Sequence, residues 1–141
     1  MRDRRAGFTL VELLVSAALF ATVIVALLSA LVAAAALTEE SKNLTQAVDD
    51  ARTVLERIRD DVQASADITA FAAAFPASTY EDWVVDQQAA GAEFTGLPEE
   101  AVTVTYGAAG DDPLDVTVAV AWTGRAGRAQ STTLQTEMTR R

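Results

Sequence analysis

The sequence predicts an α+β fold in which one long N-terminal helix packs on a small antiparallel sheet of about three to four strands. No proline or glycine occurs from Phe8 to Phe75, so nothing in this stretch interrupts a helix. After Pro98 the apolar residues recur at alternate positions, which is the pattern of half-buried strands. A helix lying across the apolar face of the sheet buries both patterns.

The composition excludes several classes of function. The chain has 141 residues, no cysteine and no histidine, so it has no disulfide, no thiolate metal site and no histidine general base. Its formal net charge of −9 argues against a nucleic-acid partner, because phosphate contacts need clustered Lys and Arg. No catalytic triad, phosphate loop or metal motif is present. We therefore expect neither enzymatic activity nor a cofactor.

The first long segment has the length of a membrane span. Residues 13–37 are 25 consecutive residues without charge, proline or glycine, and about 20 suffice to cross a bilayer. A secretory signal has a shorter apolar core of about 7 to 15 residues. Three arginines precede the segment, whereas Glu39 and Glu40 follow it. The positive-inside rule then predicts a cytoplasmic N-terminus and an exported C-terminal domain.

The residues at the start of this segment resemble a known family. Gly7 is followed by FTLVE, residues 8–12, and then by the unbroken apolar stretch. This arrangement resembles the N-terminus of type IV pilins and pseudopilins. The resemblance implies that a prepilin peptidase cuts between Gly7 and Phe8 and methylates the new N-terminal Phe8. Residues 1–7 would then be the leader, and residues 8–37 the transmembrane helix that later forms the filament core.

Glu12 has two interpretations. An ionised carboxylate near the membrane boundary is tolerated when it reaches water, so Glu12 is at minimum a boundary residue. Cleavage, however, creates an α-amino group on Phe8, four residues away, and charges in low dielectric persist only when paired. In the family the partner of this glutamate is the terminal amine of a neighbouring subunit. The resemblance thus assigns Phe8 and Glu12 to subunit assembly, with the pair acting as a check on register.

The second half of the long helix, residues 38–66, is predicted to be amphipathic. Its apolar residues recur at spacings of three, four or seven: Leu37, Leu44, Val48, Ala51, Leu55, Ile58 and Val62. Its charged residues are assigned to a solvated outer face with helical ion pairs. These are Asp49, Asp50, Arg52, Glu56, Arg57, Arg59, Asp60 and Asp61.

Residues 67–141 are predicted to form a small exported α+β domain. Residues 67–98 form an irregular connection with a short amphipathic piece from Tyr80 to Gln88, anchored by Trp83. Three strands follow, of which the middle one contains VTVAVAW, residues 116–122, and GRAGRA forms the hairpin before the last. Trp122 and Leu55 are expected in the core.

The C-terminal half extends the resemblance at the level of pattern. The order of Trp83, Leu97 and Pro98, a short strand, VTVAVAW and a glycine-containing turn is similar to PilV-type minor pilins and to the I-type minor pseudopilin of type II secretion. Two features differ from many major pilins. Ala21 and Ser29 lie where those proteins have a helix-breaking glycine or proline, and a C-terminal disulfide is impossible here.

Two clusters outside the motif are weak candidates for binding. Asp111, Asp112 and Asp115 supply oxygen ligands of the kind that calcium takes, but they lack EF-hand spacing and also fit a polar turn. Arg125 and Arg128 are candidates for DNA contact, although arginines on an acidic protein also serve to balance charge. We assign neither a metal nor a nucleic-acid site.

The sequence therefore indicates a minor type IV pilin in the bacterial inner membrane, later incorporated into a pilus. Its expected partners are the prepilin peptidase, other major and minor pilins, the inner-membrane assembly platform and, before assembly, membrane lipid. One alternative is a minor pseudopilin of a type II secretion system, which would enter a pseudopilus. Another is a membrane-anchored periplasmic binding or sensory domain that does not assemble and keeps an uncut N-terminus.

Overall fold

The structure is a computed structural model that describes residues 9–108 and 112–139. The chain forms two compact units, Met1–Glu39 and Glu40–Arg141, which are described separately below. The element order is α1 (Leu10–Ala64), α2 (Ile68–Ala74), α3 (Ala77–Ala90), β1 (Ala101–Tyr106), β2 (Leu114–Thr123) and β3 (Ala129–Met138). The predicted α+β class, with one long helix and a small antiparallel sheet, is confirmed.

Helix α1 begins where the sequence predicts and continues without a break to Ala64. Its hydroxyl side chains within the apolar stretch bond to the helix's own backbone. Thr22 Oγ1 donates to the Ala18 carbonyl at 2.9 Å, and Ser29 Oγ donates to the Val25 carbonyl at 2.9 Å. Because lipid offers no hydrogen-bond partner, these internal bonds let polar residues lie in a membrane-spanning helix.

The sheet in the second unit has three antiparallel strands in the order β1-β2-β3. The strands β2 and β3 pair over ten consecutive residues, from Leu114 opposite Met138 to Thr123 opposite Ala129. The predicted hairpin joins them through a short 3-10 turn, Arg125–Gly127, in which Gly127 has a φ of 70°. A left-handed conformation suits glycine because it has no Cβ.

The core of the second unit lies between α1 and the inner face of the sheet. Alternate residues of β2 are buried, as the period of two predicts, and Trp122 and Leu55 lie in the core as expected. The apolar seam of α1 begins later than predicted, however, since Leu37 and Leu44 are exposed. The fully buried α1 residues are Ala47, Ala51, Val54, Ile58 and Val62.

Two helices replace most of the predicted irregular connection. Helix α2 was missed; the Asp67 side chain starts it by accepting the Ala70 amide proton at 2.6 Å. Helix α3 is longer than the predicted piece, and a left-handed Gly91 ends it. Its deeply buried residues are Tyr80 and Val84, whereas Trp83 is half-buried and packs edge-on against Phe94.

Candidate functional site

The structure describes only part of the predicted processing and assembly site. Gly7 and Phe8 are outside the described residues, whereas Glu12 lies in the first turn of the helix and is exposed. The Glu12 amide donates to Thr9 Oγ1 at 3.3 Å, so Thr9 caps the helix. An acidic side chain in the first turn also interacts favourably with the helix dipole. In residues 9–108 and 112–139 no Lys or Arg forms an ion pair with Glu12.

The apolar half of α1 is uncovered within the chain. It is long and apolar enough to cross a membrane, and none of its most apolar window is buried against the rest of the protein. Its exposed large side chains include Leu13, Leu14, Leu19, Phe20, Val23, Leu27, Leu28 and Leu31. An apolar surface of this extent requires lipid or other apolar helices around it.

The second unit contains a buried pair of carboxyl groups that the sequence did not reveal. Asp50, predicted on the solvated face of α1, is only 7% exposed, which corrects that prediction. Gln46 Nε2 donates to both oxygens of Asp50, at 3.0 and 3.2 Å. Burial raises the pKa of Asp50 above its ordinary value. Asp50 lies three residues after Ala47 and four before Val54, so it shares the face of α1 that these buried residues form.

Glu100 is the partner of Asp50. Its two carboxylate oxygens are inaccessible to solvent, and neither has a well-aligned hydrogen-bond donor in the described parts of the chain. Burial, followed by the negative charge of the nearby Asp50 and by its carboxyl group as a hydrogen-bond partner, raises the pKa of Glu100 to about 7, while the Leu97 backbone amide acts to lower it. A proton on Glu100 relieves the repulsion between two buried carboxyl groups.

An open cavity of about 420 Å³ adjoins Asp50. Asp49, Glu93 and Phe94 are among its lining residues, so its walls are mainly acidic and polar. Nevertheless, where the chain is described, no group of three or more Asp, Glu, His or Cys residues is arranged to hold a metal ion. The cavity therefore does not supply a metal site.

The weak binding candidates are brought together only in part. Asp111 lies outside the described residues, while Asp112 and Asp115 are exposed at the start of β2. Arg125 and Arg128 are both exposed at the connection between β2 and β3.

The N-terminus of the chain is similar to a known protein family. Residues 2–28 match the family model described as the prokaryotic N-terminal methylation motif. No curated protein and no solved structure matches the chain. The matched segment includes Gly7, Phe8, Glu12 and more than half of the apolar stretch.

Proposed function

We propose that this chain, a type IV pilin-like precursor by its N-terminal methylation motif, is a minor type IV pilin. It would be a structural subunit that a prepilin peptidase processes and that then enters a filament. The match to the methylation motif is the observation that carries this proposal, since it supports a pilin or pseudopilin precursor. The uncovered apolar surface of α1 supports it further, because a filament core of similar helices would bury that surface.

The proposed organisation follows the motif and the charge pattern. Residues 1–7 are the leader, residues 8–37 the membrane and filament-core helix, residues 38–66 its amphipathic continuation and residues 67–141 the exported domain. The precursor spans the inner membrane once, with its N-terminus in the cytoplasm. Its partners are the prepilin peptidase, other pilins and the assembly platform, and lipid surrounds the helix before assembly.

Glu12 has its proposed role in the assembly step. Its carboxylate lies in the first turn of a helix whose neighbouring side chains are apolar and exposed, so burial in a filament would transfer this charge into low dielectric. The methylated amine of Phe8 on an adjacent subunit would compensate it. A subunit docked in the wrong register would leave both charges unpaired.

The proposal is tested by intact mass measurement and N-terminal sequencing of the protein made in its own host. We expect a mature chain that starts at methylated Phe8. A chain that retains Met1 or Arg2 would contradict the proposal and would favour a membrane-anchored domain that does not assemble. The Gly7→Leu variant is the control, because it should keep the full-length mass.

A minor pseudopilin of type II secretion is the second candidate, since the methylation motif fits both classes. The two are separated by deleting the gene and measuring two outputs, surface pili and exoprotein secretion. A minor pilin predicts loss or reduction of pili with normal secretion. The opposite result would assign the chain to a pseudopilus.

A further inference from the structure

The outer edge of β3 carries a row of backbone groups that point away from the sheet. The Gly124 amide donates to the Arg128 carbonyl at 2.8 Å, which places this pair at a hydrogen-bonded position of the ladder. Hydrogen-bonded pairs alternate along an antiparallel ladder, and the register of β2 and β3 is unbroken over ten pairs. The backbone amides and carbonyls of the even-numbered residues of β3 therefore point toward β2. Those of the odd-numbered residues point away from the sheet: Ala129, Ser131, Thr133, Gln135 and Glu137.

The opposite edge of the sheet is closed by α3. The same alternation makes the Val104 amide point outward from β1, and Glu81 Oε1 accepts its proton at 2.9 Å. Gln88 Nε2 donates to the Glu100 carbonyl at 3.2 Å, just before β1 begins. Side chains of α3 thus occupy backbone positions at which another strand would pair. Only β3 offers this sheet a long open edge within the described residues.

The sequence of β3 lacks the usual devices that protect an edge strand. Its ten residues, AQSTTLQTEM, contain no proline, lysine, arginine or glycine, and the ladder contains no bulge. Glu137 is its one charged residue. Within the described residues, a side chain bonds to the outward backbone groups only just after β3 ends, where Gln63 Nε2 donates to the Thr139 carbonyl at 3.1 Å.

A groove adjoins the C-terminal end of this edge. It has a volume of about 400 Å³ and is lined by α1 and by the end of β3 with Thr139. Val62 and Met138 form its apolar part, and Arg59 and Glu137 contribute one charge of each sign. Leu134 lies on the same face of the sheet and is only partly buried. A strand added beside β3 would direct alternate side chains to this face. Apolar side chains at those positions would cover Leu134 and enter the groove.

The net charge of the domain indicates which kind of partner strand this edge favours. Residues 40–141 contain 17 Asp and Glu against eight Lys and Arg, a net side-chain charge of −9, so two copies of this domain repel each other. Arg125 and Arg128 lie at one end of β3, but the strand itself is nearly neutral. We propose that the outer edge of β3 binds an extended, neutral to basic segment of a different protein, with apolar residues at alternate positions, as a fourth strand. This proposal does not depend on the assignment as a pilin.

The test uses the full-length protein in detergent micelles and a peptide probe, acetyl-KTVTVTVK-amide. Amide hydrogen exchange measured by NMR reports each backbone group of β3. Bound peptide should slow exchange of the odd-numbered amides by about tenfold or more and leave the even-numbered ones nearly unchanged, because those already bond to β2. The matched probe acetyl-ETVTVTVE-amide should bind several-fold more weakly. Equal binding of the two probes, or no protection at millimolar peptide, would overturn the proposal.

Two variants at position 133 distinguish the contribution of the backbone amide to peptide binding from that of the side chain. Thr133→Pro removes an outward amide without removing a bond to β2, whereas Thr133→Ala removes the side chain and keeps the amide. We expect the alanine variant to bind the basic probe within about twofold of the parent and the proline variant to lose about tenfold or more. Circular dichroism checks that both variants fold. If the proline variant does not fold, the protection of the odd-numbered amides in the parent protein is the deciding measurement. Probe binding that survives Thr133→Pro in a folded variant would refute the proposal. Odd-numbered amides already protected by a concentration-dependent dimer would instead assign the edge to a second copy and overturn it.

Discussion

Tyr80 on α3 donates a hydrogen bond of 3.0 Å from its phenolic Oη to Oδ2 of Asp61 on α1. Arg57 Nε lies 3.5 Å from the same oxygen, so one carboxylate joins a buried phenol to an exposed cation. Burial, and then this hydrogen bond, raises the pKa of Tyr80 above its ordinary value, which keeps the phenol protonated as a donor. The bond attaches α3 to α1 and thereby fixes the helix that closes the β1 edge.

Removing this hydrogen bond should destabilise the second unit, residues 40–141. We expect Tyr80→Phe to lower the free energy of unfolding by about 1–2 kcal/mol, because the bond involves a charged acceptor. Denaturant unfolding of the full-length protein in micelles, followed by tryptophan fluorescence, measures the change. The matched test is a double-mutant cycle with Asp61→Ala, which removes the acceptor. Additive effects of the two substitutions would show that the bond contributes nothing.

The Asp50 and Glu100 pair should make the domain less stable as the pH rises through the neutral range. The pKa of Glu100 is about 7 in the folded protein and 4.5 in its ordinary state, so between these values the folded protein holds a proton that the unfolded chain lacks. Stability from this group is therefore complete below pH 4.5 and falls until about pH 7. Above that pH the group has no further effect.

The Glu100→Gln variant isolates this contribution. Glutamine stays neutral, so we expect it to raise the free energy of unfolding at pH 8 by about 3 kcal/mol and to have little effect at pH 4.5. Unfolding curves measured at several pH values decide the matter. Glu56→Gln, which removes an exposed carboxylate on α1, is the matched control and should leave the slope unchanged. A parent protein whose stability rises steadily from pH 5 to pH 8 would contradict this account of the pair.

Processing and assembly should separate at Glu12. Glu12→Ala should still be inserted and cut, since Glu12 lies five residues beyond the predicted scissile bond and its loss makes insertion easier by up to about 3 kcal/mol. The variant should nevertheless enter filaments poorly, because the amine of Phe8 would be left unpaired in low dielectric. The measurement is the abundance of the mature form compared with its abundance in sheared filaments. Wild-type incorporation of a fully processed Glu12→Ala protein would reduce Glu12 to a tolerated boundary residue.

A fragment that begins at Thr38 should be soluble and folded. It retains the buried residues of α1 and the whole sheet but lacks the exposed apolar stretch. Circular dichroism should show helix together with antiparallel sheet, and tryptophan fluorescence should indicate a buried Trp122. A disordered spectrum at neutral pH would mean that the sheet requires other subunits. Thr38 is a suitable start because it leaves about two helical turns before the first buried residue, Ala47.

Periodicity was sufficient for the main elements because each has a single strong pattern. The absence of proline and glycine from Phe8 to Phe75 allowed one helix, and the alternation in VTVAVAW reported a strand with one buried face. The methylation motif could likewise be recognised without a structure, because the residue order from Gly7 to Glu12 is specific to it. Short α2 was missed because its alanine-rich sequence has no clear period, and the Asp67 cap that starts it also fits an ordinary turn.

The long helix, the three strands and the N-terminal motif were predictable from the sequence, because they follow from local order along the chain. The burial of Asp50 near Glu100, the closure of the β1 edge by Glu81 and the open β3 edge within the described residues emerged only in the folded chain. Such contacts join residues 23 to 50 positions apart, and a charged side chain in a helical pattern reads as solvated until its neighbours are known. The physical reason is that burial and hydrogen bonding depend on which elements pack together, whereas periodicity reports only which face of each element is apolar.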